Sequence, residues 1–115
     1  MPVRSILTFN VQDGAEAMFK TNYLEKGFLH RAQFAPGFLH GEFLHSDTQP
    51  RSFIATALWR SKADYMAWTA AYLDMFAEED IQALRACLKT DPKSQIYDVL
   101  THIAAKNSTE KAPLK

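Results

Sequence analysis

Tyr65, Trp68, Tyr72 and Phe76 recur at three- and four-residue spacing, which lines up four aromatic rings on one face of a helix. Tyr and Trp each join a large apolar body to one polar edge. Such a face therefore suits either a dense core or the wall of an aromatic ligand pocket. Asn10 is a second candidate for chemistry, at the end of an apolar run and three residues before Asp13-Gly14. Its amide N–H can hold a developing oxyanion, or its side chain can satisfy the backbone of the turn that Asp13-Gly14 signals. Tyr23 has the same two readings: a ring packed in the core with its hydroxyl at the rim, or a hydroxyl offered to a ligand.

The remaining reactive side chains form no motif. His30, His40, His45 and His102 are dispersed. His40-Gly41-Glu42 sets an imidazole and a carboxylate on one strand face, but a catalytic zinc site needs a third protein ligand and no residue in the pattern supplies it, so no metal is expected. His40 stays a candidate for contact with a ligand. Cys87 falls on an apolar helical stripe with no neighbouring cation to lower its pKa, which describes an inert buried thiol. The sequence has no Gly-rich phosphate loop, no Gly-x-Ser-x-Gly elbow and no spaced Cys/His cluster.

The chain has 115 residues, 47% of them apolar and 12% aromatic, enough for one domain with a substantial core. Thirteen Lys and Arg balance thirteen Asp and Glu, so no net field recruits nucleic acid or an anionic membrane. Ser52–Trp59 also lacks the basic-Gly-aromatic signature of RNA-recognition modules. A single cysteine cannot form an internal disulfide, no export signature opens the chain, and no apolar run nears the roughly 20 residues of a membrane span. A cytoplasmic location is expected.

The elements that must position these residues follow from pattern. Val3–Val11 is rich in β-branched and aromatic residues and reads as strand one. Helical spacing runs from Ala15 to just before Pro36-Gly37, with Met18, Phe19, Tyr23, His30 and Phe34 near one face and Gly27 as a point of bending. Phe38–Ser46 and Ser52–Trp59 form a hairpin around Asp47-Thr48-Gln49-Pro50. Ser61 with Asp64 resembles a capping box that starts a second helix at Lys62, running to about Phe76. The acidic Glu78-Glu79-Asp80 opens a further helical piece with Ile81, Leu84, Cys87 and Leu88 on one stripe. Asp91-Pro92 ends it, Ser94–Ile103 is a fourth strand, and 104–115 is expected to be a mobile tail. The expected domain spans 1–103.

The order β-α-β-β-α-(α)-β gives an α+β, ferredoxin-like fold: a four-stranded antiparallel sheet with its helices on one face. Ser5, Leu7 and Phe9 alternate with Ile6, Thr8 and Asn10, and Phe53, Ala55, Ala57 and Trp59 alternate with Ile54, Thr56 and Leu58. Both sheet faces are therefore apolar. The uncovered face calls for a partner, and a second copy of the chain packing sheet against sheet is the economical one.

The Ala35-Pro36-Gly37-Phe38 join, the Trp59-Arg60-Ser61-Lys62 step from strand three into helix two, and the Trp68 that follows resemble the antibiotic biosynthesis monooxygenase superfamily over about residues 3 to 103. The resemblance implies a homodimeric α+β barrel with a pocket between helices and sheet. It further implies a cofactor-free monooxygenase for an aromatic or polycyclic phenolic or quinol substrate, in which loss of a phenolic proton yields an anion that reacts with oxygen itself. Asn10, Trp68 and Tyr72 become the catalytic candidates, with Asn10 and Trp68 as donors to the oxyanion and Tyr72 holding the substrate oxygen or relaying a proton. Thr8, Phe19, Tyr23, His40, Tyr65 and Phe76 are the candidate substrate contacts. A haem-degrading branch adds a histidine about three turns after the tryptophan; Ala77 and Glu78 stand there in this chain, so haem turnover lacks its axial ligand. The alternatives are a dimeric ligand-binding or accessory domain without turnover, and a haem-binding relative that uses another ligand.

Overall fold

Strand β3, Ser52–Trp59, pairs along its whole length with β1 (Val3–Asn10) on one side and, with a register shift between Phe38 and His40, with β2 (Phe38–His45) on the other. Strand β4, Lys93–Asp98, adds to the free side of β1, so the order is β2-β3-β1-β4 and every pairing is antiparallel. Helices α1 (Glu16–Glu25), α2 (Lys62–Ala71) and α3 (Glu78–Ala86) complete the α+β, ferredoxin-like fold. The computed structural model describes residues 1–106. The tail expected over 104–115 falls largely outside the described residues.

The first long helix expected from the sequence is broken. Gly27 adopts φ +73°, a left-handed conformation that ends the helical turn after α1. The chain resumes as a 3-10 segment over His30–Phe34. This reversal turns Phe28 into the core at 2% exposure, whereas Phe34 and Met18, placed on the apolar face by periodicity, are 82% and 62% exposed. The second helix also narrows early. After Ala71 the chain tightens into a 3-10 turn, Tyr72–Met75, before α3 begins.

The Ser61 cap forms as the sequence implied. Ser61 Oγ accepts from the Asp64 N–H at 3.1 Å and donates to Asp64 Oδ2 at 2.9 Å. Arg60 completes the cluster with an ion pair to the same carboxylate at 3.1 Å. Gly37 (φ +85°) lies directly against this carboxylate, and its carbonyl accepts from the Arg60 N–H at 2.7 Å. A Cβ at Gly37 would collide with the Asp64 side chain. The entrance to β2 and the start of α2 are thereby fixed against each other.

The core divides into two clusters. Phe9, Phe19, Tyr23, Phe28 and Phe53 pack with Ile81 and Leu84 of α3, beneath α1 and α3. Val3, Ala32, Ala57 and Trp59 form the other, with Phe38, Tyr65 and Trp68 against its edge. Strand β4 ends at Asp98, shorter than the expected Ser94–Ile103. The reason is a lack of partner: Asp98 pairs with Val3, and after Val99 N donates to Pro2 O at 3.0 Å, β1 offers no further residue. Leu100 and Ile103 are left 84% and 85% exposed.

Urea denaturation tests the Gly37 contact. Gly37→Ala is expected to lower stability by about 2–4 kcal/mol, combining a left-handed backbone with the collision. Gly14→Ala, also at positive φ but facing open space, is expected to cost only about 1 kcal/mol. Equal losses at the two sites would remove the contact from the account.

Candidate functional site

The side chains that β1 and β3 turn toward the helices change size along the strands. Phe9 and Phe53 fill one end, Val3 and Trp59 the other, and between them stand Ser5, Leu7, Ala55 and Ala57, facing one another in register as Ser5–Ala57 and Leu7–Ala55. Small groups in the middle of a sheet leave room that the helix above must fill or leave open. Helix α2 leaves it open, since none of its residues is buried and Tyr65 and Trp68 are half-buried. The result is a cavity of about 700 Å³, within the range of small-molecule sites.

The roof is Tyr65, Trp68, Thr69 and Tyr72; the floor is Ser5, Leu7, Ala55 and Ala57; Tyr23 and Phe28 close one end, and Ser94 and Ile96 of β4 form a side. The rings make a continuous surface, with centroids 6.1 Å apart for Trp59–Trp68, 5.1 Å for Trp68–Tyr72 and 6.5 Å for Phe28–Tyr72. Trp59 N–H donates to Ser5 Oγ at 3.1 Å, fixing the floor. Tyr65 and Ser94 hydroxyls meet at 3.0 Å and tie α2 to the edge strand. Every buried side-chain nitrogen and oxygen among the described residues has a partner. The Trp68 indole N–H, which makes no hydrogen bond among them, is therefore not enclosed.

Burial pushes the Tyr23 phenol well above its ordinary range, and the neighbouring Tyr72 pushes it further. Burial likewise raises Tyr72, partly offset by its hydrogen-bonding interaction with Tyr23. Both are thus neutral donors near neutral pH. Cys87, beneath α3, is also raised by burial and lies outside the cavity.

Of the residues singled out from the sequence, the cavity gathers Trp68, Tyr72, Tyr23 and Tyr65. It does not gather the others. Asn10 and Thr8 belong to the opposite alternation of β1 from Ser5 and Leu7, so they lie toward the uncovered sheet face, and Asn10 is exposed at the strand end where its carbonyl accepts from Lys89 N at 2.7 Å. His40 is exposed on β2, opposite Leu58. Phe19 is fully buried in the first core cluster, and Phe76 stacks on Phe28 at 4.4 Å with the Arg31 guanidinium 5.1 Å from its ring centre. None of the four histidines lines the cavity, and no group of three or more His, Cys, Asp or Glu capable of holding a metal occurs among the described residues. Sequence reasoning missed the floor. Its signal was present in the alternation Phe53-x-Ala55-x-Ala57-x-Trp59, large-small-small-large on one face.

A family model described as antibiotic biosynthesis monooxygenase matches residues 2–85, most of the chain. The chain belongs to the antibiotic biosynthesis monooxygenase family. No curated protein matches it in sequence. Among solved structures, it is similar to SnoaB, a cofactor-independent oxygenase from Streptomyces nogalater, at 20% identity and TM-score 0.66 over 90% of this chain and 98% of that one. It is also similar to a Mycobacterium tuberculosis protein at 12% identity and TM-score 0.71, over 90% of this chain and all of the other. A conserved protein from Methanosarcina mazei matches at 13% identity and TM-score 0.67, over 84% and 91% of the respective chains. At these identities the likeness establishes the antibiotic biosynthesis monooxygenase fold.

The raised phenols make an alkaline signature. A phenol that binds its proton more tightly folded than unfolded contributes stability that is complete below the unfolded value of 10.0 and is lost as pH rises through the folded value. Tyrosinate absorbance is expected to show Tyr23 and Tyr72 ionising only together with unfolding, and Tyr72→Phe is expected to flatten the loss of stability above about pH 10. Ionisation of all four tyrosines in a protein still folded by circular dichroism would refute the burial account.

Proposed function

We propose that this protein is a cofactor-independent monooxygenase for a flat aromatic substrate of phenolic, anthrone or quinol type, acting in the cavity beneath α2 as a homodimer. The observation that carries this reading is the cavity itself: an aromatic roof of half-buried rings over a floor in which Ser5, Ala55 and Ala57 are small, in a chain of this family. A dense core would have buried Trp68 and Tyr72. That the cofactor-independent oxygenase SnoaB shares the fold supports the same direction.

The chemistry such a site supplies is positioning and stabilisation of negative charge. For an anthrone, the substrate loses a proton to give an electron-rich enolate, the carbanion carbon takes up O2, and loss of water leaves a carbonyl: one oxygen atom enters the product and the other leaves as water. The electrons come from the substrate, so the balance needs no further reductant. The Trp68 indole N–H and the Tyr72 hydroxyl are the donors to the enolate oxygen. With no carboxylate, amine or imidazole in the lining, the proton passes to water at the open side of the cavity. Asn10, far from the cavity, is assigned no part in this reading.

The second copy of the chain covers the open sheet face. That face carries the half-buried Ile6, Ile54 and Leu58 with Leu44 and Tyr97 exposed at 44% and 48%. The outer sides of both edge strands are unpaired, and 100–103 keeps strand-type residues with no strand partner among the described residues. Edges and apolar face together describe surfaces that close on a partner.

Oxygen consumption with anthrone as substrate tests the activity. Trp68→Phe is expected to lower kcat by about 100-fold with the fold intact, as for loss of one oxyanion donor; consumption no faster than buffer autoxidation with the unaltered protein would leave a binding domain instead. Light scattering at micromolar concentration is expected to give twice the chain mass, and Ile54→Asp is expected to give monomers. A monomeric unaltered protein would overturn the assembly.

A further inference from the structure

A second cavity, of about 460 Å³, shares Trp68 with the main one and no other lining residue. Its volume is also in the range of small-molecule sites. Pro36 and the small Ala67 and Ala71 leave the space, and Phe34, Trp68 and Met75 are its large apolar walls. Phe34 is 82% exposed, so an aromatic ring stands in water beside an apolar hollow.

The two cavities differ in charge. No cation lines the main one, whereas Arg31 stands in the second. Its guanidinium lies 5.1 Å from the centre of the Phe76 ring, an interaction that engages its charge but none of its N–H donors. No ion pair to Arg31 forms among the described residues. Asp64, the one acid of the lining, is already partnered: its Oδ2 accepts from Arg60 Nε at 3.1 Å, from Arg60 Nη2 at 3.1 Å and from Ser61 Oγ at 2.9 Å. One uncompensated positive charge with free donors is left beside apolar walls.

We infer that this cavity is a second ligand site, for a small aromatic monocarboxylate whose ring occupies the space between Phe34, Trp68 and Met75 and whose carboxylate accepts from the Arg31 guanidinium. The planar fork of a guanidinium matches the two oxygens of a carboxylate. A dianion would keep one charge without a counter-charge, since the lining holds no second cation. The site stands whether or not the main cavity is catalytic.

The two tryptophans tell the sites apart, because both line the main cavity and only Trp68 lines the second. Their indole N–H signals, assigned with Trp68→Phe, are followed by proton–nitrogen NMR as 2-naphthoate or the uncharged 2-naphthamide is added. Naphthoate is expected to shift the Trp68 signal saturably, with a Kd below about 1 mM, while the Trp59 signal stays in place. Naphthamide is expected to bind about tenfold more weakly. Arg31→Gln should bring naphthoate down to the affinity of the amide and leave the amide unchanged. Ala67→Leu, at an exposed helix position, should fill the cavity and abolish the Trp68 response to both. Trp59 and Trp68 shifting together, naphthoate affinity unchanged in Arg31→Gln, or no saturable response of the unaltered protein would each overturn the site. A Trp68 shift that follows protein concentration with no ligand added would mean that a second copy fills the cavity, and would overturn it as well.

Discussion

Side-chain volume on the helix-facing side of the central strands is the constraint on which the rest of this structure depends. Phe9 with Phe53, and Val3 with Trp59, hold the sheet and helices together at the two ends. Ser5, Ala55 and Ala57 between them are too small to reach α2. Burying an aromatic ring contributes on the order of 2–3 kcal/mol, so the two ends carry the packing energy and the middle is relieved of that role. The cavity is a consequence of this division. Trp59 links both parts, since its ring fills one end while its N–H holds the Ser5 hydroxyl of the floor.

Two left-handed glycines and one cap set the geometry of the roof and walls. Gly27 reverses the chain so that Phe28 enters the core and closes the end of the cavity. Gly37 admits the Asp64 carboxylate, which in turn fixes the first turn of α2 through Ser61 and Arg60. From that fixed start, the helical spacing brings Tyr65, Trp68 and Tyr72 over the floor. The 3-10 turn that takes over at Tyr72 redirects the chain, so Phe76, one turn further on, packs on Phe28 and leaves the roof.

The two faces of the sheet have opposite characters. The helix-facing side holds a neutral, aromatic cavity that is open to water on one side, lined by hydroxyl and indole donors. The other side is open, with Ile6, Ile54 and Leu58 only half-buried and unpaired edges at β2 and β4. No helix among the described residues is long and apolar enough to cross a membrane. The proposed chemistry falls on the side with the cavity and the proposed association on the open one.

The element order, the hairpin around Asp47-Thr48-Gln49-Pro50, the Ser61 cap and the sheet arrangement were legible in the sequence, because alternation, turn residues and caps are local signals. The family was legible from a few short steps between elements. Element lengths were less so: the break at Gly27 and the early end of β4 depend on whether a partner strand or core space is available, which lies elsewhere in the chain. The aromatic face of α2 was plain, yet whether it formed core or cavity was not, since that depends on the size of residues facing it from β3 and from β1, the latter far away in the sequence. The same strand alternation that put Ser5 and Leu7 under the helices turned Thr8 and Asn10 away from them. Sequence by itself determined the periodicities and therefore the fold. Only tertiary structure decided which side of each strand met which helix, and so where space was left for a ligand, because a cavity is a property of facing surfaces and no single segment contains it.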